Sequence, residues 1–439
     1  MPPYVPARHH VQAPAAGPAS AGRASTRSGP VRTGLAAALV LGLVAAVPLT
    51  AGPAWADAGP AASPAGSVLA GAPAADAATS RGPDTAALAE ALRGLPDQDA
   101  TAALVRVGGD VTWRGTAGVH DLPSGRPALA DARFRAGSTT KVVTAAVVLQ
   151  LAAEGRIDLD GTVQRYLPGL LSDAFEPITV RHLLTFTAGL KPGADLGPTD
   201  GEGYENRFQT LTPEAVVAAS VAAGPYRGEG EGPGRKQRYG NIGYTVLGML
   251  IERVTGDSYE HQAAVRVFRP AGMRHSSFPG GPDPRVHGPH NRGYQRLQDG
   301  RVVDATEWNV SDRWAAGDLI STTGDLERLV RALFRGKLVP RPLLRQEMLT
   351  LPDVEGARYS AGLQRFEGAD GTVVWAKAGA RPGYATALAA TEDLSRTLVY
   401  SVNALNAHGE LSPVGARIIQ ATFPELGLPG GARSERSGR

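Results

Sequence analysis

Phe134-Arg135-Ala136-Gly137-Ser138-Thr139-Thr140-Lys141 leads directly into a mostly apolar run that ends at Gly155. Few helix breakers occur between Ser138 and Glu154, so the sequence predicts a helix with a glycine stop. Residues three apart on a helix are neighbours, which puts Ser138 and Lys141 on one face at its first turn. A serine hydroxyl is a poor nucleophile until its proton is drawn away, and a desolvated lysine amine beside it can do this. The helix N-terminus also directs free N–H groups and the positive end of the helix dipole at developing negative charge. An N-cap serine followed by a surface lysine would fit S-x-x-K equally well. The pattern gains weight because the chain has only five lysines, Lys141, Lys191, Lys236, Lys337 and Lys377, and this is its only S-x-x-K.

Two further stretches carry chemistry. Tyr239-Gly240-Asn241 precedes a run in which Val246, Leu250 and Val254 recur at helical spacing and Gly256 closes the pattern. A phenol near cations can serve as general base toward a serine. An asparagine amide both donates to and accepts from a substrate amide. Tyr204-Glu205-Asn206 has the same pattern, but its glycine- and charge-rich flanks read as an exposed loop. The second stretch is Trp375-Ala376-Lys377-Ala378-Gly379-Ala380, where a β-prone run delivers Lys377 and Gly379 permits close approach to the backbone. Lys377 offers a positive charge to a substrate carboxylate. Lys191-Pro192-Gly193 also reads K-x-G, but Pro192 could not lie in a paired strand.

Working outward, β-prone runs at Ala102–Val107 and Val111–Ala117 flank a Gly-Gly-Asp turn and predict a hairpin. Tyr359–Phe366, Thr372–Ala376, Ala385–Ala390 and Thr397–Asn403 read as consecutive strands, followed by a helix at Pro413–Thr422. Strands at both ends of a mainly helical middle imply an α+β domain over 83–426, interrupted by a helical insertion at about 156–345. Ahead of it, residues 1–56 read as a signal peptide. An acid-free segment holding Arg8, Arg23, Arg27 and Arg32 leads into the apolar run Leu35–Leu49 and then Ala54-Trp55-Ala56. That run is short of the ~20 residues a membrane span needs, and Pro48 breaks it, so no stable membrane anchor is expected. Residues 57–82 read as a flexible Ala/Pro/Gly-rich leader, and 427–439 as a disordered tail.

The formal charge of +3 comes from residues 1–56. Without their four arginines the 45 basic side chains fall to 41 against 42 acidic, a net of −1. With no basic stripe on the folded domain, nucleic acid is not expected as a partner. The chain has no cysteine, which excludes disulfides, thiolate catalysis, cysteine-based metal sites and a lipoprotein anchor. A Ser-His-Asp hydrolase would want a G-x-S-x-G elbow, and none is present. His287 and His290 lie in a Gly/Pro loop without nearby acids and read as surface residues rather than metal ligands.

Taken in order, the three elements resemble the class C β-lactamase and serine D-Ala-D-Ala carboxypeptidase family of penicillin-recognising hydrolases. Supporting stretches are Ile178–Thr185 and Ala315–Thr322, and the resemblance covers about 84–425. It implies an antiparallel sheet flanked by helices, with the site between the sheet and the helical insertion. It implies acylation of Ser138, with Lys141 and Tyr239 moving the proton and Asn241 orienting the substrate amide. Backbone N–H groups of Ser138 and Ala380 would hold the oxyanion, and no cofactor or metal is implied. The chain departs from the family's pattern at Ala378, where threonine is common, and at Phe186-Thr187-Ala188-Gly189, where H-T-S-G is usual.

The expected activity is that of an exported D-alanyl-D-alanine carboxypeptidase, secreted to the cell-wall side and monomeric, acting on small peptides. A β-lactamase, an esterase or a D-amino-acid amidase would use the same residues. A non-catalytic penicillin-binding or peptidoglycan-sensing module is the reading from another class, and the three intact motifs weigh against it. An arginine on the strand before Lys377 is expected to hold a terminal carboxylate. Arg365 is the candidate, if it rather than Gln364 faces the groove, because adjacent strand residues face opposite sides.

Overall fold

The β-prone runs from the two ends of the chain meet in one sheet. The computed structural model describes residues 82–407 and 411–427. The expected signal peptide, the leader up to residue 81 and the tail from residue 428 lie outside the described residues. The strands are β1 (Ala100–Gly109), β2 (Trp113–Gly118), β3 (Gln364–Glu367), β4 (Val373–Arg381), β5 (Tyr384–Thr391) and β6 (Arg396–Ala404). All neighbours are antiparallel, in the order β2-β1-β6-β5-β4-β3. The helices that matter for the site are α1 (Thr85–Ala91), α2 (Thr140–Ala153), α3 (Ile242–Thr255), α4 (Trp314–Gly317) and α5 (Pro413–Thr422).

Alternation along the strands sorts side chains between two apolar clusters. Val374, Ala376, Ala385, Ala387 and Ala389 pack with Leu88 of α1 and Ile418 and Ile419 of α5. Trp375, Leu388 and Ala390 face the other way, into the cluster containing α2 and α3. The sheet is therefore covered on both faces, which is why β1, β5 and β6 are buried along nearly their whole length rather than on alternate residues. Helix α2 is apolar all round because it lies inside this second layer.

One expected strand is shorter than the sequence suggests. Tyr359–Leu363 is not strand; only Gln364–Glu367 pairs with β4. The backbone turns at Gly362 (φ +81°), Ser360 N–H donates to Leu363 O, and the turn is pressed against α2. Hydrophobic pattern cannot distinguish a tight apolar turn on a helix from a strand end. Residues 156–345 hold short helices and long loops. Within them Ile320–Ser321 pairs back onto Phe134–Arg135 and so ties the insertion to the start of the nucleophile segment.

Candidate active site

Ser138 lies in a single 3₁₀ turn, Gly137–Thr139, between the Phe134–Arg135 strand and α2. Gly137 makes that turn at φ +53°, and a Cβ there would stand 2.6 Å from Ala380 N. Only glycine fits on both counts. Gly379 is constrained more tightly. A Cβ on it would stand 2.1 Å from Ala136 O and 2.9 Å from Ser138 N. The sequence reading gave Gly379 the task of letting substrate approach; the structure gives that space to the nucleophile's own turn instead. Thr386 Oγ1 seals the seam by donating to Ala136 O at 2.9 Å. The backbone nitrogens of Ser138 and Ala380 are thereby brought to opposite sides of one narrow seam, on strand β4 and the serine turn.

Lys141 is fully buried, with Nζ 3.1 Å from Ser138 Oγ, 2.7 Å from Asn241 Oδ1 and 2.7 Å from Ala316 O. Asn241 occupies the N-cap position of α3, yet its side chain makes no cap hydrogen bond because its oxygen is turned to the lysine. Among the described residues its Nδ2 has no hydrogen-bond partner, which leaves it for a substrate carbonyl. Burial first, and then the charges of Lys377, Arg313 and Arg381, hold the Lys141 amine well below the usual lysine range. A neutral amine has two N–H bonds and one lone pair. The two N–H bonds are taken by Asn241 and Ala316, so the lone pair is left toward the Ser138 hydroxyl.

The Tyr239 ring stands between the two lysines, with Lys141 Nζ 5.2 Å and Lys377 Nζ 4.7 Å from its centroid. Its hydroxyl is sealed from water and has no partner in hydrogen-bonding geometry. Burial raises the phenol's pKa, opposed by Ser138 and then by Arg313. Phe186, Tyr239 and Tyr359 form an aromatic nest with centroids 4.9 to 5.3 Å apart, which fixes the ring. Phe186 holds φ +60°, a conformation rarely taken by a bulky residue and one that commonly marks functional sites. It is the first residue of the stretch where H-T-S-G is usual, and its ring packs against that of Tyr239, tilted by 41°.

Lys377 is buried, donates to Ala378 O at 2.7 Å, and is lowered by burial to about 7. Arg365 needs correcting. By register it pairs with Trp375 and so shares the face of Lys377, while Gln364 is buried on the opposite face. Its guanidinium, however, pairs with Glu367 at 2.8 Å, along β3 toward the Val373 end of β4. It does not join the cluster, because a carboxylate two residues along its own strand satisfies it. Tyr204 and Asn206 lie elsewhere: Tyr204 packs on Trp308, and Asn206 donates to Leu196 O. Lys191 donates to Ala223 O, also away from the cluster. Among the described residues no group of three or more His, Cys, Asp or Glu side chains could hold a metal.

Sequence reasoning missed Arg313, Asp312 and Arg381. Arg381 is buried and pairs with Asp312 at 3.0 Å. Arg313 precedes α4, whose Ala316 carbonyl holds Lys141. The available signal was position: Arg313 stands two residues before the Ala315–Thr322 stretch, and Arg381 two after Gly379. Among the described residues no helix is long and apolar enough to cross a membrane.

Comparison with known proteins bears on the family and the fold. The profile of the family described as Beta-lactamase matches residues 88–422. The crystal structure of a D-stereospecific amidohydrolase from Streptomyces sp. superposes with a TM-score of 0.67 at 31% identity, covering 78% of this chain and 99% of that one. A D-amino acid amidase from Ochrobactrum anthropi SV3, complexed with L-phenylalanine amide, gives 0.64 at 25% identity over 77% of this chain and 97% of that one. Esterase EstB of Burkholderia gladioli is 31% identical over 247 residues, 51% of this chain and 61% of the esterase. The chain thus spans about three fifths of that curated relative's length.

Proposed function

Since the chain belongs to the Beta-lactamase family of serine hydrolases, we propose that it cleaves amide bonds after D-amino acids through an acyl-enzyme on Ser138, with short peptides ending in D-Ala-D-Ala as its preferred donors. The observation that carries the reading is the Lys141 amine, desolvated and 3.1 Å from Ser138 Oγ. Its lone pair accepts the serine proton as Oγ attacks the scissile carbonyl. The oxyanion that forms is held by the N–H groups of Ser138 and Ala380, a contribution of roughly 3 kcal/mol per donor. The proton passes by way of Tyr239 to the leaving amine, the C–N bond breaks, and the acyl group stays on Ser138. Water then attacks the ester, gives up its proton along the same path, and frees the acid.

D-configuration is supported by the names of the Streptomyces and Ochrobactrum enzymes, which share the fold over most of this chain. A free carboxylate on the substrate is supported by Lys377, Arg313 and Arg381, the basic side chains that gather around Lys141. A second reading, hydrolysis of neutral amides or esters, is favoured by Arg365 being paired with Glu367 and by Lys377 already donating to Ala378 O. Turnover of an N-acylated D-Ala-D-Ala peptide, D-phenylalanine amide, nitrocefin and p-nitrophenyl butyrate decides between them. Preference for the peptide supports the first reading. Turnover of the butyrate alone overturns it, and labelling by a fluorophosphonate that survives Ser138→Ala removes the nucleophile. We also propose export, from Leu35–Leu49 and Ala54-Trp55-Ala56. N-terminal sequencing of protein recovered from the medium should begin near Asp57, and an intact Met1 on cytosolic protein would contradict it.

A further inference from the structure

The four basic side chains at the site are not equivalent. Lys141, Lys377 and Arg381 are each at least nine-tenths buried, and each is engaged: by Asn241 and Ala316, by Ala378, and by Asp312 respectively. Each is enclosed beside its present partner, so a new anion would have to enter a dry interior to reach it. Arg313 differs, for its side chain keeps 24% of its surface in water. It is rooted in the wall of the nucleophile's turn. A Cβ on Gly317 would stand 3.0 Å from Arg313 Cβ and 3.8 Å from the carbonyl carbon of Gly137. From that root the guanidinium reaches Asp312 at 3.3 Å and Asp195 at 3.4 Å. Both are long beside the 2.7–2.9 Å of a tight charge-assisted bond. Asp195 comes from a different part of the chain, 118 positions away in the helical insertion, and its side chain is 47% exposed.

We propose that Arg313 receives the terminal carboxylate of the substrate, and that Asp195 is the placeholder it exchanges for that carboxylate. The inference rests on the peptide reading above and assigns to Arg313 the role expected of Arg365. A guanidinium offers a planar fork of donors matched to a carboxylate, and it carries its charge at every working pH. The exchange conserves ion pairs: the long contact to Asp195 breaks, one to the substrate forms, and Asp195 returns to water from a position already half in it. Releasing an exposed pair costs little. The substrate's anionic end would then be fixed from the α4 side of the site, close to the turn that carries Ser138.

The test uses the full-length protein and two substrates that differ in one group, an N-acylated D-Ala-D-Ala peptide and its C-terminal amide. The wild type should show the lower KM for the acid. Arg313→Gln should raise KM for the acid by roughly 10- to 100-fold, the range for a hydrogen bond to a charged group, and bring the acid-to-amide KM ratio near one. Arg313→Lys should recover part of that ratio. Asp195→Asn, by removing the competing carboxylate, should lower KM for the acid more than for the amide. Equal effects of Arg313→Gln on both substrates would overturn the inference while leaving the peptide reading intact, as would a higher acid KM in Asp195→Asn. Hydrolysis of p-nitrophenyl butyrate by wild type with neither peptide turned over would remove both. If Arg313→Gln fails to fold, Asp195→Asn carries the same decision through its KM ratio.

Discussion

Replacing Asn241 by aspartate asks whether a neutral Lys141 drives acylation. The change keeps the side chain's shape and puts a carboxylate where a neutral oxygen now sits, 2.7 Å from Nζ. Two unit charges at that separation attract by ~6 kcal/mol at an effective dielectric of ~20. Asn241 is half-buried, so water screens the new charge, and about half of that energy, ~3 kcal/mol, is the working figure. Attraction favours the protonated amine, so the Lys141 pKa rises, by roughly 2 units at ~1.36 kcal/mol each. The neutral amine then becomes rarer at every pH below the raised value, by at most about 100-fold, and acylation should fall with it. The assay is kcat/KM for p-nitrophenyl butyrate between about pH 5 and about pH 10, where the rising limb should move alkaline by those roughly 2 units. Asn241→Ala removes the hydrogen bond without adding charge and should not move the limb alkaline. An aspartate variant that is slow at every pH with its limb unmoved would refute the reasoning, because the protonation state of Lys141 would then not gate the reaction.

Three further outcomes follow from the same geometry. Lys377 has its pKa lowered to about 7 from 10.5, so the unfolded chain binds the extra proton between those values and wild-type stability rises with pH across that window. Lys377→Met should therefore raise the melting temperature at pH 7 while lowering activity, by up to ~5 kcal/mol of relieved burial cost. A stability gap over wild type that fails to shrink toward about pH 10 would contradict the lysine's depressed pKa. Gly379→Ala forces a methyl into a 2.1 Å approach to Ala136 O; acylation by a fluorophosphonate should drop by orders of magnitude, and near-normal labelling would mean the seam is not as tight as described. Tyr239→Phe should slow acylation at least 100-fold, whereas Tyr204→Phe, packed on Trp308 away from the site, should leave burst kinetics within about twofold; comparable losses in both would reassign the Y-x-N role.

What the sequence disclosed about the site, and what it hid, divides along chain distance. Ser138 and Lys141 sit within one helical turn, and Tyr239 and Asn241 stand together ahead of one helix, so local spacing alone associates them. Arg313 reaches Asp195 across 118 positions and Arg381 reaches Asp312 across 69. No periodicity connects such pairs; they become neighbours only when the insertion folds back through the Ile320–Ser321 pairing. Arg365 illustrates a second limit. Its phase on the strand follows from register, which a sequence with apolar flanks on both sides cannot supply, and its partner Glu367 competes for the guanidinium in a way that facing alone does not reveal. The strands of the sheet were legible as apolar runs between turn residues. Tyr359–Leu363 was misread because a turn pressed against α2 is as apolar as a strand.

The pairing of β1 with β6 has a consequence for how the protein comes into being. Ala103 lies opposite Val402 and Val107 opposite Leu398, so the middle of the sheet joins segments separated by nearly the whole domain. Contacts that far apart cost loop-closure entropy before they return any stabilisation, and they slow folding. Helix α2 and the serine turn are completed early in synthesis, but the strand that forms the other side of the oxyanion seam, β4, and the strands that hold β4 in the sheet come last. A nascent or truncated chain ending before Val373 would carry the nucleophile and both of its lysine-side partners, Asn241 and Ala316, but not Ala380, the second donor to the developing charge. Hydrolytic power is thus withheld until the chain is almost fully made, and the unpaired edge of β1 is the segment most exposed to misassembly until then.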